Sequence, residues 1–247
     1  MIAKPPNTKT KVHYEPGDFL IHFAGSNLLI GEENLDPLMR AYYLLRIDNR
    51  ELITLDHFLE IHGFFLDYPH SANNEGYISP LQKNYYQSRL VQMPHIESIA
   101  EIGLNGGHSC ENFFQQCSNL KHFTSFDINQ HPYTEPAIEY FKMKYGNRFE
   151  FVKGSSHYTL PLYTATHPET TFDLIYIDGD HSHEGCKQDI LDCRPLAHEN
   201  TLVWIDDCGW GSTVESAVLE LIELGEIEIL HLNCSGDRIR VEARYCQ

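Results

Sequence analysis

From Ser98 onward, short apolar runs alternate with amphipathic segments, and this alternation narrows the possible folds of the 247-residue chain more than any other feature. "IESIAEIG", "HFTSFDI", "RFEFVKG", "FDLIYIDGD" and "TLVWIDDC" have the length and apolar continuity of strands buried on both faces. Between them, "SCENFFQQC", "EPAIEYFKMKYG" and "HEGCKQDILDCRPL" carry apolar residues at helical spacing, with Gly146 and Pro195 as stop signals. A fourth helix, "STVESAVLELIELG", precedes two more strands, "EIEILHL" and "RIRVEAR", which only "NCSGD" separates. Strand–helix alternation implies a mostly parallel sheet covered on both faces, and the short final connection implies an antiparallel hairpin. The expectation is an α/β, Rossmann-like doubly wound sheet with a terminal antiparallel hairpin strand.

Before Ser98 the pattern changes. "LDPLMRAYYLLRID" and "LDHFLEIHGFFLDY" have helical spacing, and a loop and a further helix follow in "HSANNEGYISPLQKNYYQSRLVQMP". Residues 1–96 are therefore expected to form an N-terminal extension and helical cap, and residues 97–247 the cofactor-binding domain.

Composition removes several classes of partner. A formal net charge of -17, with no dense run of Lys or Arg, disfavours nucleic acid and anionic membranes. No apolar stretch approaches the ~20 residues of a membrane span. The seven cysteines are odd in number and form no C-x-x-C pair, which argues against a zinc ribbon or a disulfide framework. The expectation is a soluble, cytoplasmic protein with no nucleic acid partner and no membrane insertion.

The turn "EIGLNGGHS", Glu101 to Ser109, joins the first strand to a helix, where backbone N–H groups and a helix N-terminus can meet a ligand. Gly103, Gly106 and Gly107 permit close backbone approach. Asp127 ends the second strand about twenty residues later, the place where an acid accepts both hydroxyls of a ribose. Two cofactors fit such a plan, a nicotinamide dinucleotide and S-adenosylmethionine. The spacing departs from G-x-G-x-x-G, with Asn105 where a glycine belongs. Glu101 would repel a pyrophosphate but suits the cationic methionine end of a sulfonium. Charge favours S-adenosylmethionine.

The order "EIGLNGGHS", "FDI", "VKGSS", "FDLIYIDGDHSHEG" and "LVWIDDC" resembles the class I S-adenosylmethionine-dependent methyltransferases. Within these it is most similar to metal-dependent small-molecule O-methyltransferases, such as those acting on macrolide sugars and catechols. The resemblance covers about Ser98 to Arg244. It implies a seven-stranded sheet, and a cofactor site formed by Glu101, Gly103, Asn105, Gly107, Ser109, Asp127, Ser155, Ser156 and Asp178.

Asp178 ends the fourth strand, and Asp206 and Asp207 end the fifth. In a doubly wound sheet these ends lie side by side, so the three carboxylates are expected to hold a hard divalent ion, Mg2+ or Mn2+. Such an ion lowers the pKa of a bound hydroxyl and orients it for in-line displacement at a methyl group. The resemblance makes His181 the general base. Asp180 is expected to cap or to orient, and His183 to point elsewhere. The acceptor is expected to be a small molecule or sugar with vicinal oxygens. "GDFLIHFAG", Gly17 to Gly25, has a short likeness to the end of some glycosyltransferase domains, which points the same way, and aromatic residues such as Tyr42, Tyr43, Tyr85, Tyr86, Trp204 and Trp210 could stack on a ring. A nicotinamide-dependent oxidoreductase and a catalytically inactive cofactor-binding module are the alternatives.

Overall fold

The computed structural model describes residues 53–64, 78–235 and 238–246. The stretches around Gly17–Gly25 and Tyr42–Tyr43 lie outside these. Seven strands form one sheet: β1 (Ser98–Ile102), β2 (His122–Asp127), β3 (Phe149–Lys153), β4 (Phe172–Ile177), β5 (Ala197–Ile205), β6 (Ile227–Ser235) and β7 (Arg238–Tyr245). Their order is β3-β2-β1-β4-β5-β7-β6. Strands β1 to β5 pair in parallel, and β7 runs antiparallel to both β5 and β6. The hairpin expected from "NCSGD" is present, but its second strand, β7, is the one inserted beside β5.

Alternation along β4 explains the two cores. Leu174 and Tyr176 face one side of the sheet, where they pack with Phe113, Phe123 and Trp204. Ile175 and Ile177 face the other, with Ile190, Val203 and Val218. Helices cover both faces: α1 (Leu55–Ile61), α2 (Pro80–Leu90), α3 (His108–Gln116), α4 (Thr134–Tyr145), α5 (Ser156–Thr166), α6 (His183–Cys193) and α7 (Thr213–Glu223).

Local chemistry fixes the helix ends. Ser79 accepts from the Gln82 N–H while Gln82 returns a bond to the Ser79 N–H, a capping box followed by Pro80 in the first turn. Ser182 and Ser212 cap α6 and α7 by accepting from Gly185 and Glu215. Helix α5 has no counterpart in the periodicity of the sequence; it contains Pro161, and of its eleven residues only Leu160 and Tyr163 are buried.

The described part of the expected cap shares the core of the sheet. Leu55, Phe58 and Leu59 of α1 and Tyr85, Tyr86 and Leu90 of α2 pack into the same cluster as Tyr176 and Trp204. The Tyr86 ring stacks on Trp204 with centroids 5.7 Å apart and planes 12° off parallel. Arg89 of α2 grips Glu242 of β7 through two bonds of 2.7 and 2.6 Å. These contacts bring Tyr86 and Gln82 to the mouth of the cleft described next.

Candidate active site

A cleft of about 860 Å³ opens over the C-terminal ends of β1, β2 and β4, the edge where open α/β sheets bind ligands. Its floor is the Gly103–Gly107 turn. Gly103 has φ +97, and a Cβ there would lie 2.1 Å from the Asp178 carbonyl oxygen. Gly107 has φ +84, and a Cβ there would meet the Phe141 ring at 2.5 Å. Both positions thus exclude side chains: one lets β1 pass against the loop after β4, the other seats α3 on α4.

Asp127 lies in the cleft wall, where its carboxylate accepts from the Asn105 N–H at 2.9 Å and the Asn129 N–H at 2.5 Å. Both asparagines have positive φ, so the turn and the end of β2 wrap around this acid. Asn105, Ser109, Ser155 and Ser156 also line the cleft. Glu101 does not reach it directly. Its carboxylate is fully buried beneath the turn, accepting from Ser109 Oγ at 2.5 Å and Ser125 Oγ at 2.8 Å. Burial pushes its pKa up to about 8, against the pull of the two serine bonds. Glu101 therefore braces the turn from beneath, through Ser109 and Ser125.

The acidic edge departs from expectation in one residue. Asp178, His181 and Asp207 converge, each offering a ligand atom within 4.8 Å of the others. His181 lies between the two carboxylates, Nε2 at 3.2 Å from Asp178 Oδ1 and Nδ1 at 3.7 Å from Asp207 Oδ2. Asp206 sits deeper than these three, directly behind Asp178. Its carboxylate pairs with Arg240 at 3.0 Å and accepts from Tyr176 Oη at 2.8 Å, all three side chains being buried. The same Tyr176 hydroxyl lies 3.1 Å from Asp178, so it bridges the two carboxylates. Asp207 reaches the cleft by adopting φ +52, a left-handed conformation that aspartate tolerates. Asp206, expected as a metal ligand, is thus engaged by Arg240 in this structure, and the groups that converge are Asp178, His181 and Asp207.

Electrostatics agree with a cation site. The hydrogen bond with Asp178 raises the His181 pKa to about 9, with Asp178, Asp207 and Asp206 adding attraction against the cost of burial. Burial, with repulsion from Asp206 and Asp207, raises Asp178 to about 6 although His181 opposes it. A positive charge between two acids is what the place favours. Two carboxylate oxygens suit Mg2+ or Mn2+, and an imidazole nitrogen is more readily taken by Mn2+.

The remaining residues of the "IDGDHSHEG" loop are structural. Asp180 accepts from the Ser182 N–H at 2.8 Å and packs against Gly185, where a Cβ would lie 2.2 Å from its carboxylate. His183 turns to α7, with Nε2 at 3.0 Å from Glu220. Sequence reasoning missed Tyr176, whose hydroxyl lies 3.1 Å from Asp178 and receives the Tyr86 hydroxyl at 2.8 Å. Strand alternation held the signal, since Tyr176 precedes Asp178 by two and shares its face. Arg240 was also missed; in "RIRVEAR" it alternates with the apolar residues, in the register that reads as a solvated face.

Residues 100–208 match a protein family described as a methyltransferase domain. No curated protein matches the chain in sequence. Among solved structures, an O-methyltransferase from Bacillus cereus in complex with S-adenosylhomocysteine is similar at 17% identity and TM-score 0.59, over 83% of this chain and 96% of that one. The O-methyltransferase of tomaymycin synthesis from Streptomyces achromogenes, in complex with S-adenosylmethionine, is similar at 14% identity and TM-score 0.59, over 79% and 92%. A TDP-rhamnose 3'-O-methyltransferase of calicheamicin biosynthesis is similar at 18% identity and TM-score 0.51, over 85% and 94%. At these identities the structural likenesses establish the fold.

Proposed function

The chain carries a methyltransferase domain over residues 100–208, and from that premise we propose that it moves the methyl group of S-adenosylmethionine to a hydroxyl of a small-molecule or sugar acceptor. The observation that carries the reading is the meeting of Asp178, His181 and Asp207 at the end of the same cleft whose floor is the glycine turn. The methyltransferase match supports the sulfonium cofactor over the dinucleotide alternative. The three side chains at the acidic edge support a catalyst over an inactive module.

In this reading Asp127 binds the ribose, and the backbone of Gly103–Gly107, with Glu101 beneath it, receives the methionine end, whose positive charge favours the ionised form of that acid. Ser155 and Ser156 flank the nucleoside. Asp178 and Asp207 hold a divalent ion, Mg2+ or Mn2+. When bound, such an ion supplies Lewis acidity that lowers the pKa of the acceptor hydroxyl. With a divalent ion at the two carboxylates in place of the proton that they hold on His181, that residue, in the loop after β4, is free to take the hydroxyl proton. The oxygen attacks the methyl carbon in line, and the carbon–sulfur electrons leave with sulfur as S-adenosylhomocysteine. Tyr176 holds Asp178 from behind. A bidentate ion favours vicinal oxygens, and the TDP-rhamnose enzyme among the structural relatives supports a sugar. Residues 1–96 are assigned to a cap beside the catalytic domain, and the protein to the cytoplasm; among the described residues no helix is long and apolar enough to cross a membrane.

The test is calorimetric titration with S-adenosylhomocysteine, with and without Mg2+ or Mn2+, followed by an acceptor screen of sugars and catechols. Micromolar cofactor binding and turnover lost to chelator are expected. Asp178→Ala and Asp207→Ala should lose metal-dependent turnover and keep cofactor affinity. Full turnover in chelator would remove the ion from the reading, and absence of cofactor binding would remove the whole of it.

A further inference from the structure

We propose that Gln82 selects the acceptor by donating a hydrogen bond to an oxygen that lies beyond the vicinal pair held at the acidic edge. The proposal rests on the methyltransferase reading above and names the class of acceptor that the same cleft takes. That class is a vicinal diol followed by a carbonyl or ether oxygen and then by apolar carbon.

The Gly103–Gly107 turn, Asp127, Ser155 and Ser156 line the part of the cleft assigned to the cofactor. Helix α2 and the residue before it add Ile78, Gln82 and Tyr86. The Tyr86 hydroxyl donates to Tyr176 at 2.8 Å, and the Tyr176 hydroxyl lies 3.1 Å from Asp178, so this end of the wall stands at the acidic edge. Gln82 precedes Tyr86 by one helical turn and shares its face, about 5–6 Å away between Cβ atoms. A molecule with two oxygens at the edge therefore has its body along α2, within reach of Gln82. Ile78 continues the wall before the helix begins and gives it an apolar end.

The helix that Gln82 caps fixes the polarity of its amide. Oε1 accepts from the Ser79 N–H at 2.9 Å, one half of the capping box. The remaining polar atom, Nε2, can only donate, and it has no hydrogen-bond partner among the described residues. Gln82 is 5% exposed, and Nε2 is not sealed from solvent, which places the amide nitrogen at the cleft that the residue lines. An acceptor that fills the cleft takes solvent away from these two N–H groups. A carbonyl or ether oxygen meets them, whereas hydrocarbon in that place strands them and an ammonium repels them.

The experiment is calorimetry on the full chain loaded with S-adenosylhomocysteine and Mn2+, using 3,4-dihydroxyacetophenone and 4-isopropylcatechol. These diols are close in shape, and a carbonyl oxygen in one replaces a methyl group in the other. The ketone also has the more acidic hydroxyls, an advantage that every variant shares, so the change in affinity ratio between proteins is the measure. Gln82→Glu keeps an oxygen for the Ser79 N–H, and with it the helix cap, but sets a second oxygen where Nε2 stood. It should lower the ketone-to-alkyl ratio about tenfold, and Gln82→Leu about fivefold, the scale of one hydrogen bond. A purely structural role for Gln82 would leave the ratio of the Glu variant at the wild-type value. That result, or wild type that binds neither diol once loaded with cofactor, would overturn this inference and leave the cofactor reading standing. Wild type that does not bind S-adenosylhomocysteine would overturn both.

Discussion

Replacing Glu101 with glutamine should stabilise the cofactor-free protein, and should do so only above pH 4.5. Glu101 is fully buried, and burial holds its folded-state pKa near 8 against 4.5 for the unexposed-to-field reference value. Between these values the folded chain binds a proton that the unfolded chain has released, so wild-type stability falls as pH rises through the window and levels off above pH 8. One pKa unit corresponds to ~1.4 kcal/mol, so the penalty is ~3 kcal/mol at pH 7 and ~5 kcal/mol above pH 8. The amide retains an oxygen for Ser109 and Ser125, at a cost of about 1 kcal/mol for the less well-matched serine. Urea unfolding of both proteins without cofactor, at half-unit steps from pH 4 to pH 9, measures the difference. Taking the difference cancels the titration of Asp178 and His181, which both proteins share. A gap that stays flat across this range would refute the argument, as would one that closes with rising pH. Weaker binding of S-adenosylmethionine by the variant would show what the buried carboxyl is kept for.

Three further outcomes are expected. His181→Ala should lower the methyl-transfer rate about 10²- to 10⁴-fold with cofactor affinity unchanged in calorimetry, and a loss below tenfold would give the proton to another group. Gly103→Ala should abolish S-adenosylhomocysteine binding and lower the melting temperature, because its Cβ would lie 2.1 Å from the Asp178 carbonyl oxygen; normal binding would show that the turn yields. Asp206→Ala removes the carboxylate that Arg240 meets at 3.0 Å and should cost about 3 kcal/mol in urea unfolding while Mn2+ affinity is kept. Lost Mn2+ affinity at wild-type stability would return Asp206 to the ligand set.

The strands that build the cleft were legible because each is a short apolar run closed by a charged or glycine residue, as in "FDLIYIDGD" and "TLVWIDDC". Asp127 and Asp178 were placed directly, since one closes β2 and the other follows β4 at the sheet edge that carries the cleft. Helix α5 was not legible, because Pro161 and a weak apolar pattern hide a segment that is held by the sheet beneath it. The direction of Asp206 was hidden for a different reason. Two adjacent aspartates look equivalent in sequence, and only Arg240, thirty-four residues further on, distinguishes them. The enclosure of Glu101 was not legible, since the serines that hold it come from α3 and β2, far apart in the chain.

The insertion of β7 between β5 and β6 has a consequence for the acidic edge. Asp206 ends β5, yet the arginine that neutralises it arrives on a strand made after α7 and β6. The strand that meets Asp206 thus comes from the end of the chain, and through Asp206 and the Tyr176 hydroxyl its Arg240 is linked to Asp178 at the cleft. The acidic edge therefore depends on the C-terminal hairpin, whereas the glycine turn is built from β1, β2 and α3 alone.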